Sequence, residues 1–170
     1  MDQSDQFDWV TTFLRQRGMI RSAQVILAIV CASATWVSLT VLASQRRPST
    51  ASAIIGVLTV VFSFGATYFW LTHWPTRRQS RIVALAGMFS IFGWSVVQQS
   101  AAFAALACTA LAVTGGYIAL FHNPRLLFLN GVVAAVTATI AVLRLADETD
   151  SATAAAAFWL IWLPTFQCRS

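Results

Sequence analysis

The chain has 170 residues, of which 58% are hydrophobic and 10% charged, where an average soluble domain carries about 25% charged residues. Eleven basic and six acidic side chains cannot supply the polar shell of a water-soluble domain, and disorder would need low hydrophobicity with high charge. The mean hydropathy of +0.69 leaves an integral membrane protein. Every basic residue is arginine, and the arginines stand in short clusters between apolar stretches. That is the pattern of topology determinants at a membrane surface, so no nucleic-acid partner is expected. Cys31 and Cys108 lie inside apolar stretches and Cys168 close to the last residue, a spacing that gives neither a disulfide framework nor a metal knuckle.

The first segment, residues 1–19, reads as an amphipathic interfacial helix. Phe7, Val10, Phe13 and Leu14, with Trp9 beside them, fall on one side of a helix by their three- and four-residue spacing. Asp5 and Asp8 suit its N-terminal end, Arg15 and Arg17 its C-terminal end, and Gly18 is its stop. Such a helix would lie in the membrane interface with its aromatic residues down. A cleaved signal peptide is not expected, because the acids precede the apolar region and that region exceeds a signal's length.

A membrane-spanning helix needs ~20 mostly apolar residues. Residues 20–164 are therefore read as a transmembrane bundle, with full spans over 22–43, 52–71, 82–97, 101–121 and 126–145. The break at Gln98-Gln99-Ser100 divides an apolar run that is otherwise too long for a single crossing. A sixth stretch, 152–163, is too short to span before Pro164 and reads as a partial helix, with 165–170 as a tail. The chain is read as ending early. The fold class is thus all-α: a polytopic membrane bundle of five full transmembrane helices plus a partial sixth, with an amphipathic N-terminal helix.

Orientation follows from the arginines. With the N-terminus in the cytoplasm, that side collects Arg15, Arg17, Arg21, Arg77, Arg78, Arg81, Arg125 and, after a sixth crossing, Arg169, against Arg46, Arg47 and Arg144 outside. Short loops richer in arginine stay inside. The expectation is a multi-pass protein of the inner (plasma) membrane with a cytoplasmic N-terminus.

For chemistry, the informative feature is what the spans lack. No Asp, Glu, Lys, Arg or His lies near the middle of any predicted span, whereas pumps and proton-coupled transporters keep ionisable groups there. Arg144 is nearest, close enough to its helix end to snorkel outward. His73 and His122 both close an outgoing helix at its cytoplasmic end, and two imidazoles at one depth can clasp a haem iron. The competing reading makes them interfacial histidines beside aromatic belts, and no cofactor is expected. Ala104, Cys108, Ala112 and Gly116 recur every four residues, a small-residue strip that permits close helix approach. It is expected to pack against another helix of the same chain, the alternative being the seam of a homodimer. The span hydroxyls of Ser33, Thr35, Ser38, Thr59, Ser63, Thr67, Thr137 and Thr139 are read as packing residues. Gly115-Gly116 lacks the Lys and Ser/Thr of a phosphate loop. No nucleophile–base pair, paired carboxylates or metal-ligand cluster is apparent in the spacing, so no enzymatic activity is expected.

Two stretches carry a resemblance. Leu71-Thr72-His73-Trp74-Pro75-Thr76-Arg77-Arg78-Gln79-Ser80 and Gly115-Gly116-Tyr117-Ile118-Ala119 followed by Phe121-His122, together with the opening Phe7-Asp8-Trp9, resemble the N-terminal membrane region of actinobacterial, especially mycobacterial, GGDEF-domain proteins. The likeness covers roughly residues 7–146. It implies a membrane region that precedes a cytoplasmic domain joining two GTP molecules into cyclic di-GMP. The Gly-Gly-Asp/Glu-Glu-Phe signature does not occur in the chain, so none of that family's catalytic residues has a position here. The expectation is a sensory or anchoring region truncated before its catalytic domain, with the bilayer as partner and no sensed ligand named by any polar cluster. The alternative is a small stand-alone membrane protein that binds a lipid, quinone or haem, or passes a solute.

Overall fold

The computed structural model describes residues 5–44, 49–97 and 101–148. They form α1 (Asp5–Gln16), α2 (Ile20–Ser44), α3 (Thr50–Thr72), α4 (Arg77–Val97), α5 (Ala101–Phe121) and α6 (Pro124–Glu148). Among the described residues there is no strand. Four helices, α2, α3, α4 and α6, are long and apolar enough to cross a membrane. This corrects the expectation of five full spans plus a partial sixth. In α5 the apolar run that qualifies is the shorter Leu106–Phe121. The stretch 152–163, the tail 165–170 and the Gln98-Gln99-Ser100 break lie outside the described residues.

The helix ends follow from local chemistry. Gly18 takes φ 66, the left-handed region that suits glycine. There Met19 N–H donates to Leu14 O at 2.8 Å and Gly18 N–H to Arg15 O at 3.1 Å, the paired bonds that close a helix on a left-handed residue. The chain turns from α1 into α2 in those few residues. α3 is capped by Ser49, whose hydroxyl accepts from Ser52 N–H at 3.2 Å. Thr76 and Gln79 make a reciprocal capping box at the start of α4: Thr76 N–H donates to Gln79 Oε1 at 2.9 Å, and Gln79 N–H to Thr76 Oγ1 at 3.4 Å. Asn123 caps α6, accepting from Leu126 N–H at 3.0 Å, with Pro124 in the first helical position, where its missing N–H costs nothing.

The spans run up and down, with α2 on α3, α3 on α4, and α4 against both α5 and α6, which also pack together. α1 lies across one end, touching α5 and α2. The polarity of the bundle is the reverse of a soluble core. Its buried positions include Gln24, Ser38, Ser52, Thr59, Ser63, Ser80, Ser95, Asn130 and Thr137, while Trp36, Phe64, Val61, Leu143 and Phe128 (74% exposed) point outward. A surface of that kind is stable only against hydrocarbon. The protein is therefore a membrane-embedded helical bundle.

Between the helices, small residues set the spacing. A Cβ at Gly56 would lie 2.5 Å from Leu42 Cδ2, so the glycine lets α2 and α3 close up. Apolar contact holds the other half together: Met88, Leu111 and Val133 form one cluster, and Ala84, Ile118 and Leu126 another. Polar bonds reinforce both halves. Thr59 and Ser90 share a hydrogen bond of 2.9 Å between α3 and α4. Asn130 Nδ2 donates to Leu111 O at 3.1 Å between α6 and α5. Ser33, Thr35, Thr67, Thr137 and Thr139 instead donate to carbonyls of their own helices.

The small-residue strip of α5 faces differently from its expectation. Ala112 and Gly116 are exposed and Cys108 is half-buried, while the side chain of Ala104 lies outside the described residues. The buried face is Leu111, Gly115 and Ile118, followed by His122. Strict four-residue spacing turns about 40° per step on a helix, so the strip winds away from the interface. Alternating steps of four and three hold one face.

Gly115 and Gly116 give a direct comparison. A Cβ at Gly115 would stand 2.8 Å from Asn130 Nδ2, whereas one at Gly116 meets nothing within 4 Å. Gly115→Ala should lower resistance to SDS unfolding by about 1 kcal/mol, the scale of one interhelical hydrogen bond, and Gly116→Ala should leave it unchanged. Equal effects at the two positions would refute this assignment of faces.

Candidate functional site

The densest polar and aromatic cluster sits where α1 crosses the bundle end. α4 contributes Ser80 in its first turns, α5 contributes Tyr117, and His122 follows directly on α5, before Pro124 opens α6. Ser80 Oγ lies 2.8 Å from His122 Nε2 and also hydrogen-bonds the Tyr117 hydroxyl. Ser80 is 0% exposed and His122 6%. Ser80 and His122 thus stand as a nucleophile and base would, a contact hidden in the sequence by 42 residues of separation. The hydroxyl is covered on every side, so in this arrangement the trio acts as a buried polar tie among α4, α5 and the α5–α6 turn.

Burial, with the Arg81 and Arg77 guanidinium groups nearby, pushes the His122 imidazole down to about 4. Desolvation and like charge both disfavour the protonated ring. The neutral ring is therefore the resident form at physiological pH.

Rings extend the cluster. Phe7 of α1 lies 6.1 Å from His122, stacked at 13°, and 6.0 Å from Phe121. Tyr117 touches Phe121 at 4.9 Å and meets Trp70 edge-on at 5.8 Å. Trp70 continues to Trp74 and Phe69, and Phe69 stacks on His73. The two histidines thus occupy opposite ends of one row of rings. His73 is exposed, with Nδ1 2.7 Å from Thr72 Oγ1, while His122 Nε2 is engaged by Ser80. One is exposed and the other buried. Among the described residues no group of three His, Cys, Asp or Glu side chains could hold a metal ion.

The arginines expected to set topology are brought together. Arg15, Arg17 and Arg21 lie at the α1–α2 turn, Arg77, Arg78 and Arg81 at the start of α4, and Arg125 at the start of α6, all at the end covered by α1. Arg21 Nη1 also donates to Leu71 O, 2.8 Å away at the end of α3. At the far end Arg144 does not simply snorkel outward. Its Nη1 and Nη2 donate to Ser95 O at 2.8 Å and Val96 O at 2.7 Å, the last carbonyls of α4. Arg46, Arg47 and Arg169 lie outside the described residues.

α1 divides its apolar residues between two faces. Phe7 is buried (5% exposed), with Val10 and Leu14 half-buried toward the bundle, but Trp9 (67% exposed) and Phe13 face outward. That outer pair is stacked at 5.8 Å, and the Arg17 guanidinium lies 5.5 Å over the Phe13 ring. The single aromatic face expected from sequence is thus split. Elsewhere, an open groove of about 470 Å³ runs between α3 and α4, lined by Leu58, Phe62 and Phe89 around the Thr59–Ser90 pair.

Fold and site together define a helical membrane protein with a surface helix docked on one end of its bundle. Compared with known protein families, curated proteins and solved structures, the chain matches none.

The Ser80 tie can be measured. Ser80→Ala leaves the Tyr117 hydroxyl and the His122 Nε2 without their buried partner and should cost about 1–3 kcal/mol in detergent unfolding. Adding Tyr117→Phe should then cost much less than the same change in the wild-type background, a coupling seen only between contacting groups. Additive losses would show that the two hydroxyls act separately.

Proposed function

We propose that the protein is the membrane-embedded sensory or anchoring region of a signalling protein, without catalytic activity of its own. The observation that carries this reading is the seat of α1. A helix held by Gln6 and Phe7 on the end of α5, and joined covalently to α2, reports any change in the spacing of those two ends. A shift between two packing arrangements is all that a relay requires. A cyclic di-GMP output is implied by the resemblance of the Trp74-Pro75-Thr76-Arg77 and Gly115-Gly116-Tyr117 runs alone. The outward strip of α5 is free to meet a second copy in such a relay.

In this reading α5 is also a full crossing. The placement of α5 between the end of α4 at Val97 and the start of α6 at Pro124 supports that reading. The arginine-rich end faces the cytoplasm of a plasma membrane, as short basic loops do, and the N-terminus lies with it.

The second reading is a small stand-alone membrane protein that binds a lipid or quinone, and the groove between α3 and α4 favours it. Reading the DNA past codon 170 in all three frames separates the two. A frame encoding a GGDEF domain is the outcome expected; an unrelated gene there favours the second reading.

Topology is checked independently. Reporter fusions after Arg78 and Arg125 should report the cytoplasm, and fusions after Ser44 and Glu148 the outer side. A cytoplasmic signal at Glu148 would overturn the orientation.

A further inference from the structure

Gln6 and Phe7 seat the start of α1 on the end of α5, beside His122. Gln6 Nε2 donates to Ala119 O at 3.0 Å and to Leu120 O at 3.3 Å. Phe7 is stacked on His122 and leans on Phe121. α1 also rests on α2, with Val10 and Leu14 half-buried. Its link to the bundle turns at Gly18, where a Cβ would meet nothing within 4 Å. A helix so held can swing away as a unit.

We propose that α1 is a releasable strap, and that protonation of His122 releases it. Phe7 shields the imidazole from water on one face, while Ser80 and Tyr117 close the other side. A proton added to the ring creates a cation in a site with almost no solvent. Around it, α4 supplies Arg77 and Arg81, both repelling that cation. α5 supplies the neutral Tyr117 hydroxyl, α1 the Phe7 ring, and the start of α6 places Arg125 three residues along the chain. α1 also carries Asp8 beside Phe7, but that carboxylate is exposed, and the charges that act on the ring are those of Arg81 and Arg77. Lifting α1 hydrates the ring and removes the penalty, so protonation and release favour each other by linkage.

The sign follows. The docked ring is held below the ordinary histidine value of ~6.5, down to about 4, and the undocked ring returns toward the ordinary value. Docking is therefore at full strength above ~6.5 and weakens as pH falls through that value toward about 4. The device needs only the seat of α1 and stands apart from the signalling reading, so its failure would leave the downstream-DNA test untouched.

The experiment uses the full chain in lipid nanodiscs, with Cys31→Ser, Cys108→Ser and Cys168→Ser and a nitroxide at Thr12→Cys on the exposed side of α1. The expected result is a spectrum dominated by the immobile component at pH 8. A mobile component should grow to dominance as pH falls, with a midpoint below ~6.5. His122→Gln should abolish the pH step. Arg77→Gln with Arg81→Gln should move the midpoint downward and shrink the step, because a proton on the docked ring then costs less and release gains less from it. A label equally immobile from pH 8 to pH 4, or the same step in His122→Gln, overturns the proposal. Should His122→Gln fail to fold, the arginine pair decides, and a midpoint that does not fall overturns it as well.

Discussion

The last turn of a helix leaves carbonyl oxygens without partners, and at the edge of a hydrocarbon slab each such group is costly. This protein meets the problem by lending donors between helices. Arg21 of α2 donates to Leu71 O of α3, Arg144 of α6 to Ser95 O and Val96 O of α4, and Gln6 of α1 to Ala119 O and Leu120 O of α5. Each bond satisfies a terminal carbonyl and at once fixes the neighbour's height in the bundle. The arginine donors carry a second benefit, since a cation at a helix C-terminus opposes the negative end of its dipole. Register between spans is thereby set at their ends, where polar chemistry is affordable, and the middle is left to small residues and hydroxyls.

Helix ends were the most legible part of the sequence, because they are written in local residues. Gly18 as the stop of the first helix and the approximate limits of α2, α3, α4 and α6 all come from spacing that a short stretch contains. Thr76-x-x-Gln79 and Asn123-Pro124 are equally local capping signals, and they explain part of the Trp-Pro-Thr-Arg run as a helix start. The interhelical bonds were not legible. Nothing near Arg144 indicates that Ser95, 49 residues away, holds its guanidinium, and a snorkelling arginine looks the same in sequence. The Ser80–His122–Tyr117 tie is hidden for the same reason. α5 differs on another ground: strict four-residue spacing looks like a face over two turns but rotates off it over four, while its buried face carries the large residues Leu111 and Ile118 alongside Gly115. In α1, periodicity places Phe7 and Phe13 on one side, but the bundle buries Phe7 and leaves Phe13 exposed.

A membrane bundle has no hydrophobic drive between its helices, because lipid tails are as apolar as leucine. The inward serines, threonines and Asn130 supply what replaces it, and each contributes only about 0.6–2 kcal/mol. Asn130 makes the logic visible. Its amide nitrogen bonds Leu111 O, its Oδ1 has no partner, and Gly115 is bare where the amide approaches. A leucine there would pack with less polar cost, yet it would not select one register of α5 on α6. Polar groups of this kind trade stability for a defined arrangement.

The same scale of energy bears on how such a bundle can move. When every interhelical tie is worth about one kcal/mol, two packings that differ by a few ties differ by a few kcal/mol, the range in which a minor state is populated enough to be selected. α1 is the element with fewest ties: one glutamine to two carbonyls and one phenylalanine on a histidine and its neighbour. Its outer face holds Trp9 and Phe13, with Arg17 over the second ring, groups that suit the headgroup layer of a bilayer. A helix that loses its seat on α5 therefore keeps a second environment in which its remaining aromatics are satisfied. That alternative lowers the cost of release without weakening the docked contacts themselves, and it places the least firmly held element of the fold where bundle, membrane surface and water meet.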